Sequence, residues 1–150
     1  MAKKTSAKPD TPANIHEFST IAGLVFVQLY RAFPGSEDID REVIAKAMGV
    51  IGKDWGAHKL PSGRSFGEMM MHTTIWLLDE GYTRSRGSHS AEKVVLTEKG
   101  LAAMKAVPTG LTDSLGAELR KATEHGTFNV SAIGELVGGF FGGTIKSLSS

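Results

Sequence analysis

The chain has 150 residues, 41% of them hydrophobic and none of them cysteine, and 17 Lys and Arg residues oppose 16 Asp and Glu residues, for a formal net charge of +1. This length suits one ordinary domain, or a small domain with an extension, that buries a packed core. The lack of cysteine excludes disulfides, thiolate metal sites and cysteine catalysis. Because the charge is balanced, any contact with nucleic acid must come from a local patch of cations.

Residues 1–13 are predicted to form a disordered basic arm. They contain Lys3, Lys4 and Lys8 among Ser, Thr and Pro residues, a composition that does not bury a core. The arm either follows phosphates or serves as a solubilising tail. No apolar run follows the lysines, so we expect no signal peptide and a cytoplasmic protein.

Two helices are predicted next. The first runs from Ile15 to Phe33, is buried on more than one side, and ends at Pro34-Gly35. Its inward stripe is Ile15, Phe18, Ala22, Val25, Leu29 and Phe33. The second runs from an N-cap at Asp40 through Met48. Its inward residues are Val43, Ile44 and Ala47.

The segment 49–65 is irregular, because four glycines and one proline in it exclude a long helix. Trp55 in this segment is either packed in the core, which we expect for a large aromatic side chain, or an exposed contact residue. The cationic and titratable side chains that make it the most basic loop of the chain are Lys53, His58, Lys59 and Arg64.

The segment 66–107 reads as a helix, a glycine stop, a hairpin and a second helix. Ser62 or Ser65 caps the third helix of the chain, which runs from Phe66 to Glu80 and ends at Gly81. Alternation then predicts a hairpin with strands 82–86 and 92–96 around a turn at 87–90. Thr97 starts the following helix, and Pro108 closes it.

The sequences W-L-L-D-E-G-Y-T (76–83) and V-V-L-T-E-K-G-L-A-A-M (94–104) resemble the helix–wing–helix segment of winged helix-turn-helix domains. In that family an L-x-x-x-G-Y step enters the wing and an L-T-x-K-G step leaves it. The resemblance covers about residues 15–107. It implies a mainly α fold with a small β-hairpin wing, whose third helix enters the major groove of DNA. The fold also serves RNA binders and protein–protein adaptors.

Carried onto this chain, the resemblance places the outward face of the third helix at Ser65, Glu68, Met71, His72, Ile75 and Asp79. Of these, the side chains that can hydrogen-bond to base edges are Ser65, Glu68 and His72. The cations expected to contact phosphates are Arg64, Arg84, Arg86 and Lys93. A solvated hairpin edge that blocks pairing with another sheet is the alternative for the hairpin cations. Met69 is expected at the core edge, whereas Met71 suits either a core edge or a protein interface.

Residues 109–150 are predicted to form a helical extension to the domain at 14–108. One helix runs from Leu111 to about His125, before Gly126. In a second helix, the five glycines from Gly134 to Gly143 would form one face, opposite the apolar residues. They would disfavour that helix by about 4–5 kcal/mol relative to alanine, so close packing must compensate.

The residues predicted to pack closely are Gly134, Gly138, Phe140, Phe141 and Gly142. Three arrangements are open: packing on the first helix, pairing with a second copy, or lying on a membrane surface. The apolar stretch 136–145 is only ten residues long, so we expect no transmembrane segment. We expect a homo-oligomer formed through this extension.

No catalytic or metal-binding motif is recognised. The five histidines lack ligand-like spacing, and there is no G-x-S-x-G elbow or phosphate loop. We therefore expect no enzyme, no metal and no cofactor. The leading hypothesis is a winged-helix regulator of a bacterial or phage type that binds double-stranded DNA and self-associates. The alternative is a winged-helix protein–protein interaction module, an assembly or neutralising partner that does not bind DNA.

Overall fold

A computed structural model describes residues 11–86, 93–124 and 128–149, with side chains in the last helix described through Gly142. The elements are α1 (Ala13–Ala32), α2 (Arg41–Ala47), α3 (Phe66–Asp79), β1 (Thr83–Ser85), β2 (Val94–Leu96), α4 (Glu98–Lys105), α5 (Leu115–Ala122) and α6 (Val130–Ser149). The described chain is therefore mainly helical with one small antiparallel hairpin, as predicted. Residues 1–10 of the predicted arm at 1–13, the hairpin turn at 87–90 and the stop at Gly126 lie outside the described residues.

The helix α1 forms the centre of the core. Every residue from Ser19 to Val27 is buried, which confirms the prediction of burial on more than one side. The other helices and β2 all pack against α1. The predicted inward stripe is wrong at its two ends, since Ile15 in the first turn of α1 is exposed and Phe33, which follows the last residue of α1, is also exposed.

The helix α6 packs closely on α1 at Gly23. A Cβ atom at Gly23 would lie only 2.6 Å from Ile133 Cγ2 and 2.9 Å from Val137 Cγ2. A Cβ atom at Gly134 would lie 2.7 Å from Thr20 Oγ1. Because neither glycine carries a side chain, the backbones approach closely enough for the packing to offset the helical cost of glycine.

The predicted opposition of a glycine face and an apolar face on α6 is wrong. Gly134 is buried on the same side as Ile133, and Gly138 lies over Ser19 of α1. In contrast, an added Cβ at Gly139 or Gly142 would meet open space. Of the three open arrangements, packing on the first helix is therefore present within the chain. Self-association through the extension stays a prediction. Among the described residues, no helix is both long and apolar enough to cross a membrane.

Side-chain caps set the starts of five helices, including α6, where Asn129 Oδ1 accepts from Ala132 N at 3.2 Å. The predicted caps of α2, α3 and α4 are confirmed, since Asp40, Ser65 and Thr97 each accept a backbone N–H bond three residues later. The helix α5 begins at Leu115 and not at the predicted Leu111, because Ser114 Oγ accepts from Ala117 N at 3.2 Å.

One inward position of α2 was predicted wrongly. Val43 is exposed, while Ile44 is buried. With only seven residues, α2 contributes little more than Ile44 and Ala45 to the core.

The hairpin pairs in the register Thr83↔Leu96, Arg84↔Val95 and Ser85↔Val94. A third segment joins it, because Glu37 and Val94 exchange backbone hydrogen bonds of 2.9 and 3.0 Å. The connection between α1 and α2 is therefore fixed to the far edge of β2.

We expect Gly23→Ala to lower the free energy of unfolding by about 1–3 kcal/mol, because its methyl group overpacks the contact with Ile133 and Val137. The matched control is Gly139→Ala, which adds the same group where α6 faces open space. This control should raise the free energy of unfolding by about 0.5–1 kcal/mol through helix propensity. Urea denaturation measures both, and equal effects of the two substitutions would contradict the packing of α6 on α1.

Candidate nucleic-acid interface

A tight turn before α3 holds the first group of cations. Phe66 N donates to His58 O at 2.9 Å, and Leu60 N donates to Arg64 O at 2.8 Å. Leu60 is buried, whereas Lys59 and Arg64 are exposed. The turn 58–66 therefore presents two cations beside the N-terminus of α3.

Ser65 does not lie on the open face of α3. It is 6% exposed, and its hydroxyl oxygen accepts from Glu68 N at 3.1 Å. Because this side chain already caps the helix, it is not available to contact a base edge. The outward placement of Ser65 in the sequence-based prediction is corrected accordingly.

The other outward positions of α3 are exposed as predicted, namely Glu68, Met71, His72, Ile75 and Asp79. Glu68 Oε2 and His72 Nε2 lie 3.9 Å apart. Met71 is 51% exposed and Ile75 is 43% exposed, while Met69 is buried in the core. This face thus combines carboxylates with apolar side chains and carries no Lys or Arg.

The hairpin holds the second group of cations. Arg84 and Arg86 are exposed, on either side of the half-buried Ser85. Neither guanidinium forms an ion pair with a described residue. Lys93 differs, because its Nζ lies 3.7 Å from Asp38 Oδ2 and its backbone N donates to Asp38 Oδ1 at 3.0 Å. Asp38 therefore offsets much of the charge that Lys93 would present to a phosphate.

An aromatic cluster joins α3 and the hairpin to α1 and α6. The rings of Trp76 and Tyr82 stack with centroids 5.9 Å apart, and Phe18 of α1 meets the Trp76 ring edge-on at 5.0 Å. Phe141 of α6 lies 5.5 Å from Trp76 and 5.6 Å from Tyr82. The predicted packing residue Phe140 is half-buried and borders Phe141 at 5.3 Å. The cluster fixes the start of the hairpin relative to α3.

Glu17 of α1 is only 4% exposed, although the sequence does not predict it as a functional residue. One carboxylate oxygen accepts from Ser62 N at 2.8 Å, and the other accepts from Ser62 Oγ at 2.6 Å. A signal was present, because Glu17 lies four residues before Ile21 and eight before Val25, on the same inward helical face. Trp55 is half-buried and meets Phe66 edge-on at 5.4 Å, consistent with its expected packing role.

In the described ranges, no three His, Asp or Glu side chains come close enough together to hold a metal ion. Comparisons with family models, curated proteins and solved structures give no match to this chain. Any function proposed for this chain therefore depends on its own geometry and charges.

We expect the Tyr82 hydroxyl to titrate above the ordinary tyrosine pKa of about 10. Burial raises the pKa of Tyr82, and the Glu80 carboxylate raises it further. Since the folded state favours the neutral phenol, this contribution to stability is fully present below the ordinary pKa and is lost as the pH rises through the raised one. The ultraviolet absorbance of tyrosinate, measured in a Tyr30→Phe background that leaves Tyr82 as the single tyrosine, gives the midpoint.

In that background, Glu80→Gln should lower the Tyr82 midpoint by removing the nearby negative charge. A midpoint at or below the ordinary value, unmoved by this substitution, would show that Tyr82 does not lie buried beside Glu80.

Proposed function

We propose that residues 14–108 form a winged helix-turn-helix domain that binds double-stranded nucleic acid through its phosphates, as a DNA-binding regulator. The order of a core helix, a short helix, the helix α3, a hairpin and a closing helix supports this fold. The extension from residue 109 onward packs against this domain, because α5 and α6 contact α1.

The observation that carries the proposal is the pair of exposed cation groups that flank α3 in the chain. Lys59 and Arg64 precede its N-cap, and Arg84 and Arg86 follow its C-terminal end. With 14 residues, α3 spans roughly 20 Å. Cations on both sides of such a helix suit contacts with the phosphate backbones that border a groove.

The exposed face of α3 argues for binding that discriminates weakly between base sequences. Direct readout in the major groove uses mostly Arg, Lys, Asn and Gln side chains, and the exposed face of α3 has none of these. Glu68 and Asp79 would repel phosphates if α3 lay deep in the groove. We therefore infer that the two cation groups supply most of the binding free energy.

We expect the wild-type chain to bind a duplex with a log–log salt slope of about −3 to −4, because four cations release about 0.9 counterion each. Arg84→Ala/Arg86→Ala should reduce the magnitude of that slope by about two. Fluorescence anisotropy with a labelled duplex, between about 50 and 200 mM salt, measures affinity and slope together.

The matched control is Arg120→Ala, which removes an exposed arginine from α5, a helix that packs on α1, α4 and α6. It should leave affinity and slope unchanged. Absence of wild-type binding near 50 mM salt would reject the proposal, and an equal loss in the control would reduce it to a general effect of net charge.

A second candidate function is a protein-interaction module, favoured by the exposure of Met71 and Ile75 on α3. Apolar side chains next to Glu68 and Asp79 suit a partner that offers apolar contacts bordered by cations. The two candidates predict opposite results for two double variants in co-purification from the native cells. A protein partner would be lost with Met71→Ser/Ile75→Ser and kept with Arg84→Ala/Arg86→Ala. The first candidate is supported if duplex binding is lost with Arg84→Ala/Arg86→Ala and kept with Met71→Ser/Ile75→Ser.

A further inference from the structure

We propose that Glu17 is a positioning residue for nucleic-acid binding, which holds the turn 58–66 so that Lys59 and Arg64 face the duplex. This inference rests on the proposed function. It assigns a role to a buried carboxylate that belongs to α1 and lies apart from the exposed cations.

The carboxylate of Glu17 connects α1 to the backbone of Arg64. Ser62 N donates to Oε2 at 2.8 Å, and Ser62 Oγ donates to Oε1 at 2.6 Å. The same Ser62 hydroxyl oxygen accepts from Arg64 N at 3.3 Å. Three hydrogen bonds thus run from the core helix through the tip of the turn to the backbone amide of Arg64, whose side chain belongs to the proposed interface.

The Glu17 carboxylate is buried, and its contact with Ser62 compensates for that burial. Among the described residues, Glu17 is the one Asp, Glu, Lys or Arg that is buried. No described cationic side chain forms an ion pair with its carboxylate. A buried carboxylate is costly unless hydrogen bonds compensate for lost hydration, and charge-assisted bonds are the strongest available. Ser62 supplies two such bonds. An apolar side chain of similar size would fill the same space at a lower desolvation cost. We therefore infer that the main role of the carboxylate is to fix the position of Ser62.

The rest of the turn leaves its tip dependent on this contact. Leu60 anchors one arm in the core, and Gly63 N donates to Leu60 O at 2.8 Å to close the turn. Gly63 adopts a φ of +93°, a conformation that glycine favours. These restraints shape the turn but do not attach its tip to the domain. The Glu17–Ser62 contact attaches the tip of the turn to α1. Because the turn is then already ordered, binding avoids part of the entropy cost of ordering Lys59 and Arg64.

The test is a double-mutant cycle that separates positioning from stability. Glu17→Ala and Ser62→Ala are each made in the wild-type chain and in a Lys59→Ala/Arg64→Ala background. Duplex affinity and salt slope are measured by anisotropy, and the free energy of unfolding is measured by urea denaturation. Ser62→Thr retains both donors to the carboxylate and serves as the conservative control.

In the wild-type background, we expect Glu17→Ala to weaken duplex binding about tenfold and to reduce the salt slope by about one to two, as for two lost phosphate contacts. In the background that lacks both cations, the same substitution should cause no further loss of affinity. Ser62→Ala should act in the same direction, and Ser62→Thr should retain the wild-type slope. If Glu17→Ala does not fold, Ser62→Ala decides the question.

Two results overturn the proposal, and they are distinct. If the folded variants lose stability but keep the wild-type affinity and slope, or lose affinity equally in both backgrounds, Glu17 is a structural clamp only, and duplex binding by the wild type still stands. If the wild-type chain binds no duplex, the proposed function fails and the positioning role fails with it.

Discussion

The close approach of α6 to α1 at Gly23 is the contact on which the rest of the structure depends. It allows Ile133 and Val137 to reach the buried side of α1. Because α6 is fixed there, Phe141 lies against both Trp76 and Tyr82. The position of the hairpin relative to α3 therefore depends in part on a helix that begins more than thirty residues after the hairpin ends. The extension is therefore a part of the core, and its Phe141 packs against the aromatic side chains next to the exposed face of α3.

Local sequence signals were sufficient for most of the helices but not for what joins them. Periodicity and capping residues predicted α1 to α4 because both act within one or two turns of helix. The start of α5 was placed at Leu111 because its apolar stripe was visible, yet Ser114 provides the cap that sets the start. The bridge between Glu37 and Val94 joins residues far apart in the chain, and no local pattern predicts such a pair.

The candidate interface was only partly predictable for the same reason. The exposure of Glu68, Met71 and Ile75 follows from helical periodicity, which was correct. Whether a hydroxyl is a cap or a surface contact depends on a single hydrogen bond, so Ser65 was placed outward although it caps α3. The sequence does not predict a role for Glu17, because a carboxylate is normally exposed. Its burial depends on hydrogen bonds from Ser62, forty-five residues later in the chain.

The distribution of charge is consistent with the proposed binding of an anion by a chain of net charge +1. Salt screens exposed charges beyond about 8–10 Å, so a ligand responds to the cations that it touches and not to the total. Lys59 and Arg64 lie on the turn that Glu17 contacts through Ser62. Arg84 lies in β1 and Arg86 directly follows it, next to the aromatic cluster. Both cation groups are thus connected to the core, and Glu68 and Asp79 on α3 lie between them in the chain. In the proposed complex, these acids would repel phosphates that came close to α3, and this distribution of charge favours recognition of the backbone over readout of bases.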